Sequence, residues 1–227
     1  MKVITWNCNL KFKEKFELVN SHDPDICFIQ ECEKLKSDFF PNYKYFWTGR
    51  NENKGLGVLT KKNDFFVDET HNKDLINFLP IRSDDLKLLG VWSFNHRASK
   101  FGSEVSGNTI DAINFYKDWF GDNDERCIVA GDFNNSIIWD KKGNDNNFNN
   151  INGHLVGLGF VSNYHELKDE GFGKESCATF FHTKKESKKY HIDYIYSKNL
   201  NPLELKVGSY TEWISYSDHS PLIAELG

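Results

Sequence analysis

The sequence predicts a layered α/β domain in which two packed sheets carry helices on their outer faces. Three observations lead there. Short apolar runs recur along the whole 227-residue chain and outnumber the helical patterns. Most of these runs end abruptly in polar residues, as buried strands do. Apolar residues make up 39% and aromatic residues 15%, enough to fill the core of one domain spanning residues 1–227.

The elements follow in order. "KVITW" (Lys2–Trp6) reads as a strand that ends at "NCN". "FKEKFELVN" places Phe12, Phe16 and Val19 on one helical face. "DICFIQE" (Asp25–Glu31) is a buried strand ending in Gln30 and Glu31. "YKYFWTG", "LGVLTK" and "DFFVDE" continue as strands, and "LKLLGVWSFN" (Leu86–Asn95) is the longest apolar run and a central strand. "NTIDAINFYKDWF" is helical: Asn108 caps it, Asp111 suits the first turn, and Ile110, Ile113 and Phe120 share a face. "RCIVAGDFN" passes from strand to loop, and "NNINGHLVGLGF" is a helix closed by glycine. "ATFFHT", "YHIDYIYS", "ELKVGSY" and "SPLIAEL" complete the strands, and Lys141–Asn150 is a solvated loop.

Composition narrows the function. The net charge of −5 argues mildly against tight nonspecific binding to duplex DNA. It leaves room for an enzyme that meets phosphates through a bound cation. No apolar run approaches the roughly 18 residues of a membrane span. "MKVITWNCNL" lacks the apolar stretch of a signal peptide. Five cysteines, odd in number and without a CxxC pair, read as reduced thiols. The expectation is a cytoplasmic monomer with no membrane association and no obligate protein partner.

The polar strand ends carry the chemistry. Asn7 and Asn9 follow the first strand, Glu31 ends another, and Asp132 and Asn134 follow a third. Asp193 lies in "HIDYIY", and Asp218 and His219 stand just before the last strand. Loops at one edge of packed sheets converge although they are distant in sequence. Hard oxygen ligands on such loops suit Mg²⁺, with Mn²⁺ able to substitute, and leave room for a substrate phosphate. A histidine beside the ion could hold a phosphate oxygen, and a second carboxylate could orient an attacking water. These are the parts of a metal-assisted phosphate-ester hydrolase.

"TWNCN", "IQE", "GDFN", "HIDYI" and "SDHSPL" occur in an order and spacing that resembles the endonuclease/exonuclease/phosphatase superfamily, with its exonuclease III-type AP endonucleases and deoxyribonuclease I. Each motif is weak alone; five in order across Trp6–Leu222 are specific. The resemblance implies a four-layered α/β/β/α sandwich of two mostly antiparallel mixed sheets, Mg²⁺ dependence and phosphoric ester cleavage. It implies metal binding by Asn7 and Glu31, with Asp218 joining the shell. Asp132 would orient or deprotonate the water, and Asn134 would position the phosphate or a ligand water. Because residues two apart in extended chain share a side, both could face one cleft while Phe133 points into the core. His219 would contact the scissile phosphate, with Asp193 fixing its ring and favouring the imidazolium form. Asn9 stands where relatives often carry aspartate, so it offers an oxygen without a charge.

The family position after the central strand falls at His96 or, one register step away, at Asn95; Arg97 is an alternative phosphate contact. The Arg97–Gly107 segment is either a rim that selects substrate or a plain connection. Lys61 and Lys62, and the cluster Lys184, Lys185, Lys188 and Lys189, either touch flanking phosphates or are solvated turns. Tyr43, Tyr45, Trp47 and Trp92 either stack on bases or fill the core. The reading is a phosphodiesterase acting on nucleic acid. The alternatives are a phosphatase or phosphodiesterase of a small phosphorylated metabolite or phosphoinositide, and a non-catalytic binding module.

Overall fold

A computed structural model of the chain describes residues 1–94, 108–121 and 124–227. The chain runs through β1 (Lys2–Asn7), α1 (Phe12–Asn20), β2 (Ile26–Cys32), β3 (Lys44–Asn51), β4 (Lys54–Thr60), β5 (Phe66–Val67), β6 (Phe78–Arg82) and β7 (Lys87–Trp92). It continues through α2 (Thr109–Tyr116), β8 (Cys127–Asp132), α3 (Phe148–Gly157), β9 (Val161–Ser162), α4 (Asn163–Lys168) and the β10–β11 hairpin (Phe180–Phe181, Lys189–Tyr190). It ends with β12 (Asp193–Lys198), β13 (Pro202–Val207), α5 (Tyr210–Trp213) and β14 (Leu222–Leu226).

The strands other than β10 and β11 form two six-stranded sheets, ordered β13-β14-β1-β2-β4-β3 and β5-β6-β7-β8-β12-β9. Each is antiparallel except for one parallel pair, β1 with β2 and β7 with β8. A parallel pair needs a crossover, and α1 and α2 lie in the two connections. Val3, Phe28, Leu56, Val58, Leu88, Ile128, Ala130 and Ile195 meet between the sheets. The opposite face of the first sheet (Ile4, Trp6, Ile29) packs on Phe12, Phe16 and Val19 of α1 and Trp213 of α5. The opposite face of the second (Phe78, Val129, Tyr196) packs on Ile113 and Tyr116 of α2 and Ile151 and Leu155 of α3. The result is the expected α/β/β/α stack. Both faces of the central strands are covered, which is why they read as continuous apolar runs rather than alternating ones.

Some boundaries differ from the sequence reading. "FLPIR" is a strand despite Pro80; its edge partner β5 is only two residues long, so a missing N–H is tolerated there. "DFFVDE" and "ATFFHT" each supply only two strand residues. "YHIDYIYS" divides: Lys189 and Tyr190 pair in the hairpin, and Asp193–Lys198 joins the main sheet. Tyr43, Tyr45 and Trp92 are buried, and the Trp47 indole N–H donates to the Cys32 carbonyl, so these rings belong to the core and its cover.

The parallel pairs matter most for the site. They bring the C-terminal ends of β1 and β2, and of β7 and β8, to the same edge of each sheet. In β8, Gly131 is at φ 152°, and a Cβ built there would stand 1.8 Å from the Val91 carbonyl oxygen. Only glycine lets β7 and β8 close at this point, one residue before Asp132. Gly131→Ala is therefore expected to destabilise the fold by roughly 3 kcal/mol through backbone strain and to displace Asp132; chemical denaturation with the variant reads this directly, and a loss below about 0.5 kcal/mol would refute it.

Candidate active site

Asp132 ends β8 and Asp193 begins β12, and the two are direct partners across the antiparallel ladder. Both side chains are buried. Two carboxylates on one rung would repel, and the group between them is His219. Its Nδ1 lies 2.9 Å from Asp193 Oδ2, and its Nε2 lies 4.0 Å from Asp132 Oδ2. Burial pulls the imidazole pKa down, but the charges of Asp193 and Asp132 outweigh it and raise it to about 10. His219 is therefore an imidazolium at neutral pH. Burial, and then the nearby Asp193 charge, push Asp132 up to about 7. Asp193 Oδ1 is buried without a hydrogen-bond partner among the described residues.

The chain holds this group from several sides. Asp132 Oδ2 accepts from the amides of Asn7 (3.0 Å) and Asn134 (2.9 Å), and Oδ1 accepts the backbone N–H of Asn134 (2.8 Å). Asn134 is left-handed at φ 46°, so it is not in extended chain. The expected alternation is thus not what turns both side chains to one cleft. A local turn does so, with the aspartate bonding the backbone two residues on, while Phe133 is fully buried as expected. Asn134 also donates to the Ser93 carbonyl (2.8 Å). Its amide hydrogens are used in holding Asp132 and Ser93, which leaves its Oδ1 for the cleft.

Ser217, Trp6 and Thr179 set the position of His219 and Asp193. The Ser217 hydroxyl donates to the Asn7 carbonyl (2.7 Å) and accepts the His219 N–H (3.0 Å). The Trp6 indole N–H donates to the His219 carbonyl (2.9 Å). Thr179 Oγ1 accepts from the backbone N–H groups of Ile192 and Asp193. None of these three was marked by the sequence reading, although Ser217 and Trp6 stand inside its motifs. Lys15 is a further tie: its ammonium donates to the carbonyls of Cys8, Asn9 and Tyr216, fastening the end of β1 to the segment before His219.

A second group of oxygens lies at the ends of β1 and β2. Glu31 sits at a β-bulge, where the register with β4 slips between Gln30 and Cys32, and has φ 59°. Bulges re-aim a side chain, and the adjoining Gln30 and Cys32 stay buried. Leu10 N–H donates to the Glu31 carbonyl, so Glu31 borders the Asn7–Asn9 turn. The Asn9 amide donates to Asp218 Oδ1 (3.2 Å), and Asn9 N–H donates to Asn7 Oδ1 (3.1 Å). Asn9, Leu10 and Lys11 all have positive φ, a strained run of the kind that gathers at functional sites. Lys54 Nζ lies 3.0 Å from Glu31. Glu31, Asp218 and Asn7 together offer carboxylate and amide oxygens and no sulfur, a donor set that fits a hard divalent ion. Ligand atoms of Asp132, Asp193 and His219 lie within 4.8 Å of one another. Their near polar atoms are largely engaged with each other and with Asn7 and Asn134, which suits proton handling better than ligation.

Of the other candidates, His96 and Arg97, with Asn95 and the Arg97–Gly107 segment, lie outside the described residues. The lysine clusters separate. Lys61 follows β4 at the end next to Asp25, where its N–H bonds the Asp25 carbonyl and its ammonium pairs with Asp23, at the opposite edge of the sheet from Glu31. Lys184, Lys185 and Lys188 form the turn of the β10–β11 hairpin and Lys189 begins its second strand; the hairpin's Phe180 packs against the His219 ring at 4.7 Å. Only this second cluster belongs to the neighbourhood of the site.

His191 is buried on the far side of Asp193's strand end, with Nδ1 2.8 Å from the Cys177 carbonyl and its ring against Tyr164. Burial holds its pKa below the ordinary 6.5, so the folded ring is neutral. The unfolded chain binds a proton more readily, so stability is full above 6.5 and falls progressively as the pH drops below that value and through the lower folded one. His191→Gln, which keeps a donor for Cys177 and cannot titrate, is expected to flatten this acid loss; melting temperatures at pH 5 and pH 8 test it, and an undiminished acid loss in the variant would refute it.

Residues 4–219 match the sequence pattern of the Endonuclease/Exonuclease/phosphatase family. No curated protein sequence matches. Among solved structures, the chain is similar to the 3′ phosphatase NExo from Neisseria bound to a product DNA hairpin, at 18% identity and a TM-score of 0.74, over 100% of this chain and 99% of that one. It is also similar to an AP endonuclease from Archaeoglobus fulgidus, at 14% identity and 0.71, over 99% and 98% of the two chains. The AP endonuclease LMAP from Leishmania major gives 13% and 0.71, over 98% and 86%. At these identities the likeness is one of fold. With the family pattern spanning nearly every residue from β1 to His219, this chain belongs to the Endonuclease/Exonuclease/phosphatase family.

Proposed function

We propose that the chain is a Mg²⁺-dependent phosphodiesterase acting on nucleic acid. The observation that carries this reading is the Asp132–His219–Asp193 group, buried beside the oxygen set of Asn7, Glu31 and Asp218. Asn7, Glu31 and Asp218 would hold the ion, which when bound supplies positive charge to the phosphate and its leaving oxygen. Asp132 takes the proton of the attacking water; a carboxylate raised to about 7 is a far better base than an ordinary one. The amides of Asn7 and Asn134 aim its Oδ2 at one point. His219, charged and unable to turn because Asp193 holds Nδ1, directs Nε2–H at a phosphate oxygen and stabilises charge as it builds. The 4.0 Å between Nε2 and Asp132 Oδ2 is too long for a direct hydrogen bond.

Nucleic acid is favoured over a small ester by the lysine turn beside the site, which would meet flanking phosphates. The activities of the structural relatives, a 3′ phosphatase with product DNA and AP endonucleases, point the same way. The free cysteines fit a reducing, cytoplasmic setting.

The test is a hydrolysis panel in Mg²⁺ with abasic duplex, plain duplex, a 3′-phosphate end, single strand, RNA and small phosphomonoesters. Asp132→Asn is expected to lower kcat by roughly 10²–10⁴-fold with its melting temperature unchanged or raised, since one of two opposed acids is gone; chelation by EDTA is expected to abolish wild-type turnover until Mg²⁺ or Mn²⁺ returns. Cleavage confined to the small esters would overturn the nucleic-acid reading, and activity surviving EDTA would overturn the metal. Asp193→Asn is expected to cost roughly 10–100-fold and to shift the basic limb of the pH–rate profile downward, because the imidazolium loses a stabilising charge; an unmoved limb would remove Asp193 from the mechanism.

A further inference from the structure

Each of the three residues assigned to the ion already meets a donor from the chain itself. Glu31 Oε2 faces the Lys54 ammonium at 3.0 Å. Asp218 Oδ1 accepts the Asn9 amide at 3.2 Å, and Asn7 Oδ1 accepts the Asn9 N–H at 3.1 Å. Of these donors only Lys54 carries a charge, and it brings that charge to a carboxylate meant for a divalent cation. Neighbouring acids do not draw it away. The Glu33 carboxylate accepts the N–H groups of Phe12 and Lys13, and Glu52 pairs with Lys34.

The backbone at Lys54 is fixed and its side chain is not. Lys54 opens β4 opposite Asn51 of β3. The next residue, Gly55, lies so close to β3 that a Cβ built there would stand 2.3 Å from the Trp47 ring and 2.4 Å from the Thr48 carbonyl oxygen. The main chain therefore has no room to shift. The Lys54 side chain is 40% exposed, and an ion pair this open to water is held weakly. Its ammonium also lies 5.5 Å from the centre of the Trp92 ring. Trp92 ends β7 and is the parallel neighbour of Asp132. One ammonium thus stands between the Glu31 end of one sheet and the Asp132 end of the other, the two ends that flank the proposed reaction.

A cation bound to Glu31 and a lysine paired with Glu31 repel each other. At about 3 Å such a charge pair changes an affinity roughly 10-fold even in water. A phosphate reverses the balance. Mg²⁺ holds its ligands at about 2.0–2.1 Å, so oxygens sharing one ion lie within about 4 Å of each other. A phosphate oxygen that joined Glu31 there would be a short swing from the Lys54 ammonium and would give it a new anionic partner. We propose that Lys54 couples the ion to the phosphate: it opposes ion binding while it sits on Glu31, and moves to the phosphate when both are present. The inference rests on the metal-dependent phosphodiesterase reading and deepens it, for the ion is then held tightly only together with a substrate phosphate.

The test is a titration with Mn²⁺, its free concentration followed by electron paramagnetic resonance, with and without thymidine 5′-monophosphate. The wild type is expected to bind Mn²⁺ weakly alone and roughly 5–100-fold more tightly with the nucleotide. Lys54→Met should bind Mn²⁺ alone roughly 10-fold more tightly than the wild type, and gain correspondingly less from the nucleotide. Lys54→Arg, which keeps the charge, should follow the wild type, which separates lost charge from misfolding. A Lys54→Met affinity for Mn²⁺ no greater than that of the wild type, or an undiminished gain from the nucleotide in that variant, would overturn the coupling alone. Binding of Mn²⁺ by none of the three proteins would overturn the coupling and the metal reading together. The hydrolysis panel reports separately: a nucleotide gain that depends on Lys54, in a protein that cuts no nucleic acid, would uphold the coupling and sink the phosphodiesterase reading.

Discussion

Two acids face each other across one rung of a buried ladder, and the arrangement depends on the imidazolium between them. Asp132 and Asp193 are paired strand neighbours with almost no exposure. Left alone, such a pair would lose at least one of its charges to protonation. His219 gives Asp193 a direct partner and lends its charge to Asp132 at 4.0 Å. The compensation is unequal, and that inequality is useful. Asp193 anchors the ring, while Asp132 keeps a raised proton affinity and stays ready to accept a proton.

Much of the surrounding structure keeps these three residues in register. The two parallel strand pairs bring the ends of β1, β2, β7 and β8 to one edge, and glycine at 131 lets β7 and β8 close there. The Trp6 indole, the Ser217 hydroxyl and the Lys15 ammonium fix the loop that carries His219. Backbone strain gathers in the same place, at Asn9, Leu10, Lys11, Glu31 and Asn134. A side chain in the left-handed region persists only where its surroundings over-determine it. Here the surroundings are the two sheets, whose cores lock the strand ends from both sides.

The same economy explains Asn134. Its amide hydrogens go to Asp132 and Ser93, so its contribution is to orient the Asp132 carboxylate through a local turn. Charge is distributed with similar restraint around the oxygen set. Asn9 donates to Asp218 as a neutral amide, and Lys54 partners Glu31. Both contacts limit repulsion among carboxylates that a divalent ion would otherwise have to offset.

The layered fold and the acidic, amide and histidine residues at the strand ends are legible in the order of residues alone, because buried strands show as apolar runs and their polar termini interrupt them. "GDFN", "HIDYI" and "SDHSPL" marked Asp132, Asn134, Asp193 and His219, and the structure brings all four together. That order could not show that Pro80 sits in a strand beside a short edge, nor that Asn134 turns into the left-handed region, since both depend on neighbours distant in sequence. It marked two lysine clusters alike; only the tertiary structure sends Lys61 and Lys62 to the far edge and keeps the hairpin lysines near the site. Nothing in the sequence singles out Trp139; Tyr190 and Phe180, remote along the chain, join it in the wall of one cavity. Chemistry was legible because it needs particular residue types. Position was not, because it is set by long-range packing, which a linear pattern does not record.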